Sequence, residues 1–149
     1  MPHDNPSDDQ LRDLLTNASV VAMVGASANP DKDSNGIMQK LQSVGYRVIP
    51  VNPRETEILG ERSYASLLDI PERIDIVDVF RRAEDTPAIA DEAATIGAKA
   101  LWLQTGIVSE EAAKRARDRG LMVVMDQCIG ATHTLLRVPK KTRSSSGRA

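Results

Sequence analysis

The stretch Ser19-Val-Val-Ala-Met-Val-Gly25-Ala-Ser-Ala-Asn-Pro-Asp-Lys-Asp-Ser34 decides the fold that this sequence predicts. Residues 20–24 form a short apolar run, rich in β-branched side chains, that is typical of a strand buried on both faces. Small residues follow at Gly25, Ala26 and Ser27, and Ser34 precedes a segment with helical spacing of apolar residues, which it would cap. We therefore expect a strand, a loop and a helix in direct succession.

The predicted loop and helix N-terminus have the features of an anion site. Backbone N–H groups in the first turn of a helix have no partner within the helix, and the helix dipole places partial positive charge there. Phosphate is commonly bound in this arrangement, and Lys32 would add a charged contact. On these residues alone, an ordinary strand-to-helix turn without a ligand remains the alternative.

Three glycines divide the rest of the chain into repeating units of helix and strand. Gly45, Gly97 and Gly120 each end a segment with helical spacing of apolar residues, and an apolar run follows each of them. The predicted strands are residues 20–24, 46–51, 74–80, 98–103 and 121–125, and short helices are predicted over 8–15 and 63–68. The alternation predicts an α/β fold, a doubly wound five-stranded parallel sheet in the order 3-2-1-4-5, Rossmann-like and three-layered.

Length and composition limit the organisation of the chain. Its 149 residues fit one domain, which we place at 8–138 between a flexible tail over 1–7 and a basic, serine-rich, disordered tail over 139–149. A net charge of −2 and an aromatic content of 3% argue against a nucleic-acid partner. No apolar run suits a membrane span or a signal peptide, so we expect a cytoplasmic protein. One cysteine and two histidines, far apart in sequence, predict neither an internal disulfide nor a metal site.

The residues after the second strand argue against an ordinary dinucleotide site. The fingerprint of such sites is incomplete because Ser27 stands where its second glycine would be. The second strand ends in Val51, Asn52, Pro53 and Arg54, with an arginine in place of the usual ribose-binding acid. Arg54 would suit a ligand with an extra phosphate near the ribose, such as NADP or coenzyme A, or it is a solvated surface residue.

The end of the third strand adds an aromatic ring and a cation to the same edge of the predicted sheet. Adenine could stack on Phe80 while Arg81 meets a phosphate. The alternative is a core phenylalanine followed by a solvated arginine. The convergence of Arg81 with Lys32 and Arg54 at one edge of a slightly acidic chain favours the ligand.

Six ordered blocks of the sequence carry a family resemblance. They are Val24-Gly25-Ala26-Ser27, Gly45-Tyr46-x-Val48-x-Pro50-Val51-Asn52-Pro53, Ile58-x-Gly60, Ile74-Asp75-Ile76-Val77-Asp78-Val79-Phe80-Arg81, Trp102-x-Gln104-x-Gly106-Ile107 and Val124-Met125-Asp126-x-Cys128. With these blocks the chain resembles the small stand-alone CoA-binding proteins, which are similar to the N-terminal domain of the succinyl-CoA synthetase α-subunit. The resemblance covers roughly residues 18–136.

This resemblance implies coenzyme A or an acyl-CoA as the ligand. The loop Gly25–Ser27 and the following helix would hold the diphosphate, and the adenosine would lie near residues 50–53, Phe80 and Arg81. The pantetheine arm would run toward Gln104, Gly106 and Ile107. Cys128 would then lie near the CoA thiol, either as an inert buried cysteine or as the partner in a mixed disulfide.

The sequence offers no evident catalytic set. Ser27 has no adjacent base, and His3 falls in the predicted tail. The synthetase reaction needs a phosphohistidine and an ATP-grasp partner, and only His133 follows Cys128. We therefore expect a CoA-binding carrier, sensor or subunit without evident catalytic machinery. The alternatives are an NAD(P)-binding enzyme or oxidoreductase subunit and a ligand-free interaction domain, and a protein partner or homo-oligomer stays open.

Overall fold

Five parallel strands form the centre of the computed structural model, which describes residues 4–142. The strands of this sheet are β1 (Val20–Val24), β2 (Arg47–Val51), β5 (Ile76–Val79), β6 (Ala100–Leu103) and β7 (Met122–Val124), and β3 (Glu57–Ile58) and β4 (Glu61–Arg62) form a small antiparallel hairpin. The helices are α1 (Asp8–Asn17), α2 (Asp33–Ser43), α3 (Thr86–Thr95), α4 (Glu110–Asp118) and α5 (Ile129–Leu135), with short 3₁₀ turns at Leu67–Asp69 and Ala83–Asp85. The sheet order is β2-β1-β5-β6-β7.

Helices cover both faces of the sheet. Small and branched residues of α3 and α4, among them Ile89, Ala93 and Ala113, pack against one face. Leu15 of α1 and Met38 of α2 lie in the cluster on the other face, together with residues of α5. The predicted fold class, a doubly wound and Rossmann-like α/β sheet in three layers, is confirmed.

The glycines that the sequence assigns to helix ends occupy those positions. In α2 the last helical residue is Ser43, and Gly45 follows the C-cap with a φ of +100°. Its N–H donates to the carbonyl of Gln42 at 3.1 Å, and the N–H of Tyr46 donates to that of Leu41 at 3.0 Å. This pair of bonds is the Schellman motif, which requires the left-handed conformation that glycine adopts most readily.

The order of the strands differs from the predicted 3-2-1-4-5. Counted along the chain, the five long strands lie in the order 2-1-3-4-5, because β5 pairs with β1 on one side and β6 on the other. The outer edge of β2 is occupied instead by Tyr64, whose N–H donates to Pro50 at 3.1 Å and whose carbonyl accepts from Asn52 at 2.9 Å. The helix predicted over 63–68 is therefore wrong: the chain runs alongside β2 at Tyr64, and only Leu67–Asp69 forms a 3₁₀ turn.

With this order, the loops after β1 and β5 are neighbours. The Phe80 N–H donates to the carbonyl of Val24 at 2.8 Å, and the Gly25 N–H donates to that of Val51 at 3.1 Å. A β carbon on Gly25 would clash with the Phe80 carbonyl oxygen and would lie 3.2 Å from Cδ of Arg81. Glycine is therefore required here both for this close approach and for its φ of +87°.

The two predicted tails make contacts where the structure describes them. Asn5 is buried, and its side-chain amide donates to the carbonyl of Met125 and accepts from its N–H, both at 2.8 Å. Ser7 caps α1 in a capping box with Gln10. The Lys141 N–H donates to the carbonyl of Val44 at 2.8 Å. The remainder of the two predicted tails, residues 1–3 and 143–149, lies outside the described residues.

No helix within residues 4–142 combines the length and the apolar character that crossing a membrane requires.

One carboxyl group is buried in the middle of the sheet. Asp78 of β5 lies in register with Met23 and Trp102 and is 0% exposed. Among the described residues, 4–142, neither of its carboxyl oxygens has a hydrogen-bond partner. Burial of the charged form raises the pKa of the Asp78 carboxyl well above its ordinary value. The folded protein therefore keeps this proton at a pH at which the unfolded chain has released it.

The Asp78 carboxyl predicts a pH-dependent stability. The pKa of the Asp78 carboxyl is higher in the folded state than in the unfolded chain. Its contribution to the free energy of unfolding is therefore fully present below the pKa of the unfolded chain, and it is lost as pH rises toward the pKa of the folded state. In Asp78→Asn this loss is absent, so the free energies of unfolding of the two proteins should diverge by up to about 1.4 kcal/mol per pH unit. Urea denaturation from about pH 4 to 8 measures this, with exposed Asp13→Asn as the control. Parallel profiles for Asp78→Asn and wild type would contradict the assignment.

Because Gly25 closely approaches Phe80, we expect replacement of Gly25 to destabilise the fold strongly. Gly25→Ala combines a positive φ with a clash against backbone, and we expect it to lower the free energy of unfolding by more than about 2 kcal/mol. Gly60→Ala is the matched control, since Gly60 has a φ of +83° but nothing within 4 Å of an added β carbon. That variant should lose only about 1 kcal/mol. Equal losses in urea unfolding would show that the approach of Phe80 to Gly25 is unimportant.

Candidate functional site

Two adjoining cavities open at the carboxyl edge of the sheet. The loop cavity, of about 630 Å³, lies at the ends of β1 and β2 and the start of α2. The distal cavity, of about 840 Å³, extends from the start of α2 to the residues that follow β6 and β7. Lys32, Asp33, Phe80 and Arg81 line both cavities, so the two meet at these residues.

The loop cavity brings together most of the residues that the sequence singled out. Its lining consists of Gly25, Ala26, Ser27, Lys32, Asp33, Ser34, Val51, Asn52, Pro53, Arg54, Phe80 and Arg81. Asp33 is the one lining residue that the sequence analysis does not name. These residues come from the ends of three neighbouring strands, as expected for a parallel sheet.

Several backbone N–H groups in the loop cavity have no acceptor among residues 4–142. Helix α2 begins at Asp33, and its N-cap residue Lys32 makes no side-chain capping bond. The predicted N-cap at Ser34 is therefore wrong, since Ser34 is the buried second residue of the helix. Within residues 4–142 the N–H groups of Ala26 and Ser27 also lack an acceptor. Unpaired N–H groups above a strand and at a helix start are suited to bind an anion.

Two asparagines hold the loop in shape. Asn52 donates from Nδ2 to the Ala26 carbonyl at 2.8 Å and accepts at Oδ1 from the Arg54 N–H at 2.8 Å. Asn35 donates from Nδ2 to the Ser27 carbonyl at 2.9 Å. Asn52, predicted as a ligand contact, therefore uses its side chain to join the loops after β1 and β2. Asn35 escaped the sequence analysis because nothing in its local sequence marks a contact across the loop.

Cations outnumber carboxylates around the two cavities. Lys32, Arg54, Arg81 and Arg82 lie there with only Asp31 and Asp33. Arg81 donates to Asp85 at 3.0 Å, which holds its guanidinium in place. Lys32 and Arg54 are exposed and make no ion pair within the described part of the chain, residues 4–142. These two side chains are therefore available to an anionic ligand.

The distal cavity has a different lining. Its residues are Pro30, Asp31, Lys32, Asp33, Gly36, Ile37, Phe80, Arg81, Arg82, Gln104, Thr105, Ile107 and Cys128. The predicted residues Gln104, Ile107 and Cys128 are among them. Gly36 and Ile37 were not predicted as site residues from the sequence, although a glycine inside a helix can indicate close approach of a ligand. An added β carbon on Gly36 would meet nothing within 4 Å, so the missing side chain leaves this wall open.

Gly106 does not line either cavity, although the sequence predicts it as a ligand contact. Its φ is +83°, and its N–H donates to Oδ1 of Asp126 at 2.6 Å. This bond joins the loop after β6 to the loop after β7. Gly106 thus shapes the wall that carries Ile107 and Cys128.

The cavities contain no evident catalytic set. Within residues 4–142 no group of three His, Cys, Asp or Glu side chains could hold a metal ion. His133 does not line either cavity and packs edge-on against Tyr46, with 5.8 Å between ring centroids. Burial, aided by Lys40 and Lys141, lowers the pKa of His133. The arrangement is suited to bind an elongated ligand with a phosphorylated end.

Comparison with known proteins gives two close likenesses over nearly the whole chain. The Bacillus subtilis (strain 168) protein named uncharacterized protein YneT is 40% identical over 131 residues, which is 88% of this chain and 97% of that protein. A solved structure, a hypothetical protein from Pyrococcus horikoshii OT3, has a TM-score of 0.89 at 39% identity. The match covers 92% of this chain and 96% of that one.

Larger relatives contain a similar region as one part of their length. The alpha subunit of the ADP-forming acetate–CoA ligase I from Pyrococcus furiosus is 30% identical over 151 residues, with 91% of this chain but only 32% of the subunit covered. The family profile described as CoA binding domain matches residues 19–134. Since the matched residues make up most of this chain, the chain belongs to the CoA binding domain family.

Proposed function

We propose that the chain binds coenzyme A, free or acylated, along the two adjoining cavities. The observation that carries this proposal is the junction of unpaired backbone N–H groups at Ala26, Ser27 and the start of α2 with a second cavity whose far end is uncharged. Coenzyme A has the same two parts, a phosphorylated nucleotide and an uncharged pantetheine arm. The matching family profile and the name of the ligase relative support the same ligand.

The phosphorylated end is assigned to the loop cavity. The diphosphate accepts from the N–H groups of Ala26, Ser27 and the first turn of α2, where the helix dipole adds attraction. The exposed cations Lys32 and Arg54 meet the phosphate on the ribose. Pro53 and Phe80 provide apolar surface for the adenine.

The pantetheine arm is assigned to the distal cavity. It passes Phe80 and Gly36 and places its sulfur near Gln104 and Cys128. Gly36 has functional meaning in this arrangement, because glycine inside a helix costs about 0.5–1 kcal/mol relative to alanine. The space that it leaves is then occupied by the ligand.

The role that follows is that of a cytoplasmic carrier, sensor or subunit of a larger acyl-CoA system. The chain corresponds to about a third of the ligase subunit that it resembles. We therefore do not assign the activity of that whole subunit to this chain. Neither cavity offers a nucleophile paired with a base.

Calorimetric titration tests the ligand. We expect saturable binding of one CoA per chain, with NADP at least about tenfold weaker because NADP lacks the pantetheine arm that the distal cavity accommodates. NADP is the informative comparison, since it carries a diphosphate and a ribose phosphate but ends differently. Absence of saturable CoA binding, or tighter binding of NADP, would overturn the proposal.

Charge reversal tests the assignment of the ribose phosphate. Lys32→Glu and Arg54→Glu should each weaken CoA about tenfold or more and weaken dephospho-CoA distinctly less, because the lost contact is with the phosphate that dephospho-CoA lacks. Arg73→Glu is the matched control, since Arg73 is exposed and precedes β5 at the opposite edge of the sheet. An equal loss of affinity for CoA and dephospho-CoA would show that Lys32 and Arg54 contact another part of the ligand.

A further inference from the structure

Gln104 presents an unpaired amide nitrogen to the distal cavity. The residue is 3% exposed, and its Oε1 accepts from the Ile129 N–H at 3.0 Å, which fixes the orientation of the amide. Its Nε2 has no acceptor within residues 4–142. Among residues 4–142, the fully buried side-chain atoms without a hydrogen-bond partner are Arg47 Nε, both Asp78 oxygens and His133 Nε2. Nε2 of Gln104 is not one of them, so part of this atom is accessible. Since Gln104 lines the distal cavity, Nε2 is open to it.

Cys128 supplies a second polar group to the lining of the distal cavity. It directly precedes Ile129, the residue that anchors Gln104, and it lines the same cavity. The thiol is partly exposed, and its Sγ accepts from the Ala131 N–H at 3.5 Å. Cys128, which carries a nucleophilic atom, and Gln104, which carries an unpaired hydrogen-bond donor, thus line the same cavity.

The end of the distal cavity around Cys128 is uncharged. Its lining residues there are Gly36, Ile37, Thr105 and Ile107 in addition to Gln104. The charged lining residues are Asp31, Lys32, Asp33, Arg81 and Arg82, which are shared with the loop cavity or adjacent in sequence to shared residues. An uncharged group on the ligand's sulfur suits this end best.

We propose that Cys128 accepts the acyl group of a short, uncharged acyl-CoA bound in the distal cavity, with Nε2 of Gln104 bonded to the thioester carbonyl oxygen. The inference rests on the proposed function, which places the ligand's sulfur at this end. A thioester has a carbonyl directly on the sulfur, whereas a free thiol or a disulfide offers no acceptor there. The unpaired donor in the same cavity as Cys128 therefore favours acyl transfer over disulfide exchange.

The step is a transthioesterification. The Cys128 thiolate attacks the thioester carbonyl carbon and forms a new C–S bond, while negative charge moves onto the carbonyl oxygen. Gln104 donates to that oxygen and stabilises the intermediate. The bond to the CoA sulfur then breaks, and CoA leaves as a thiolate that takes up the proton released by Cys128. The products are S-acyl Cys128 and CoA, and neither an oxidant nor a reductant is consumed.

Intact-mass analysis of the full chain incubated with acetyl-CoA tests the proposal. We expect one acetyl group, located by peptide mapping at Cys128 and removed by neutral hydroxylamine. Cys128→Ser should gain no hydroxylamine-sensitive acetyl group, while its thermal midpoint stays close to wild type. The chain unfolded in guanidinium should react far more slowly than the folded chain, since the effect depends on the bound geometry.

Gln104→Glu separates the donor from the fold. A glutamate keeps the acceptor for the Ile129 N–H but removes the amide donor. We expect acetyl transfer at saturating acetyl-CoA to slow by about tenfold or more, with the thermal midpoint retained. Acetylation at the wild-type rate would overturn the role of Gln104.

The remaining outcomes distinguish this inference from the proposed function. CoA binding in calorimetry without an acetyl group on Cys128 overturns the acyl transfer and leaves the proposed function intact. Addition of CoA to Cys128 from CoA disulfide, with no transfer from acetyl-CoA, overturns it in favour of disulfide exchange. Failure to bind either CoA or acetyl-CoA overturns both.

Discussion

The close approach of Gly25 to the backbone of Phe80 is the contact on which the candidate site depends. It sets the separation of the loops after β1 and β5, at the point where the order of the strands reverses. Asn52 adds the loop after β2 through its bond to the Ala26 carbonyl. Three loops with little regular structure are thereby held in one arrangement by the sheet beneath them. A site of this kind is preformed, which reduces the entropy cost of binding.

The two cavities differ in the chemistry of their lining residues. The loop cavity presents unpaired N–H groups and side-chain cations, which suit phosphate better than uncharged groups. At the far end of the distal cavity, shape and a few polar atoms replace charge. Phe80 is half-buried and lines both cavities at their junction. A ligand that is charged at one end and uncharged at the other satisfies both parts.

Much of this arrangement follows from local sequence signals. The glycines at 45, 97 and 120 mark the change from helix to strand, and the carboxyl ends of parallel strands must meet at one edge. The strand order could not be read in the same way, because it depends on Tyr64 occupying the outer edge of β2. Local propensity contains no information about such long-range pairing.

Individual side chains in the site were harder to predict than its location. Asn52 and Gly106 lie at the edge of the sheet, as the sequence predicts. Each uses a polar group to hold neighbouring loops together, so that group is not available to a ligand. The start of α2 falls at Asp33 because Lys32 adopts the extended conformation of an N-cap. The orientation of the Gln104 amide depends on the Ile129 N–H, a contact across 25 residues of chain that no spacing in the sequence indicates.

The central claim is that coenzyme A is held by main-chain N–H groups above β1. The most direct measurement is the change in backbone amide chemical shifts when CoA is added to isotopically labelled protein. We expect the largest changes at Ala26, Ser27 and Ser34, with a further change at the side-chain amide of Gln104. Changes concentrated instead at the cavity between α1 and the start of β7, lined by Leu14 and Met122, would contradict it.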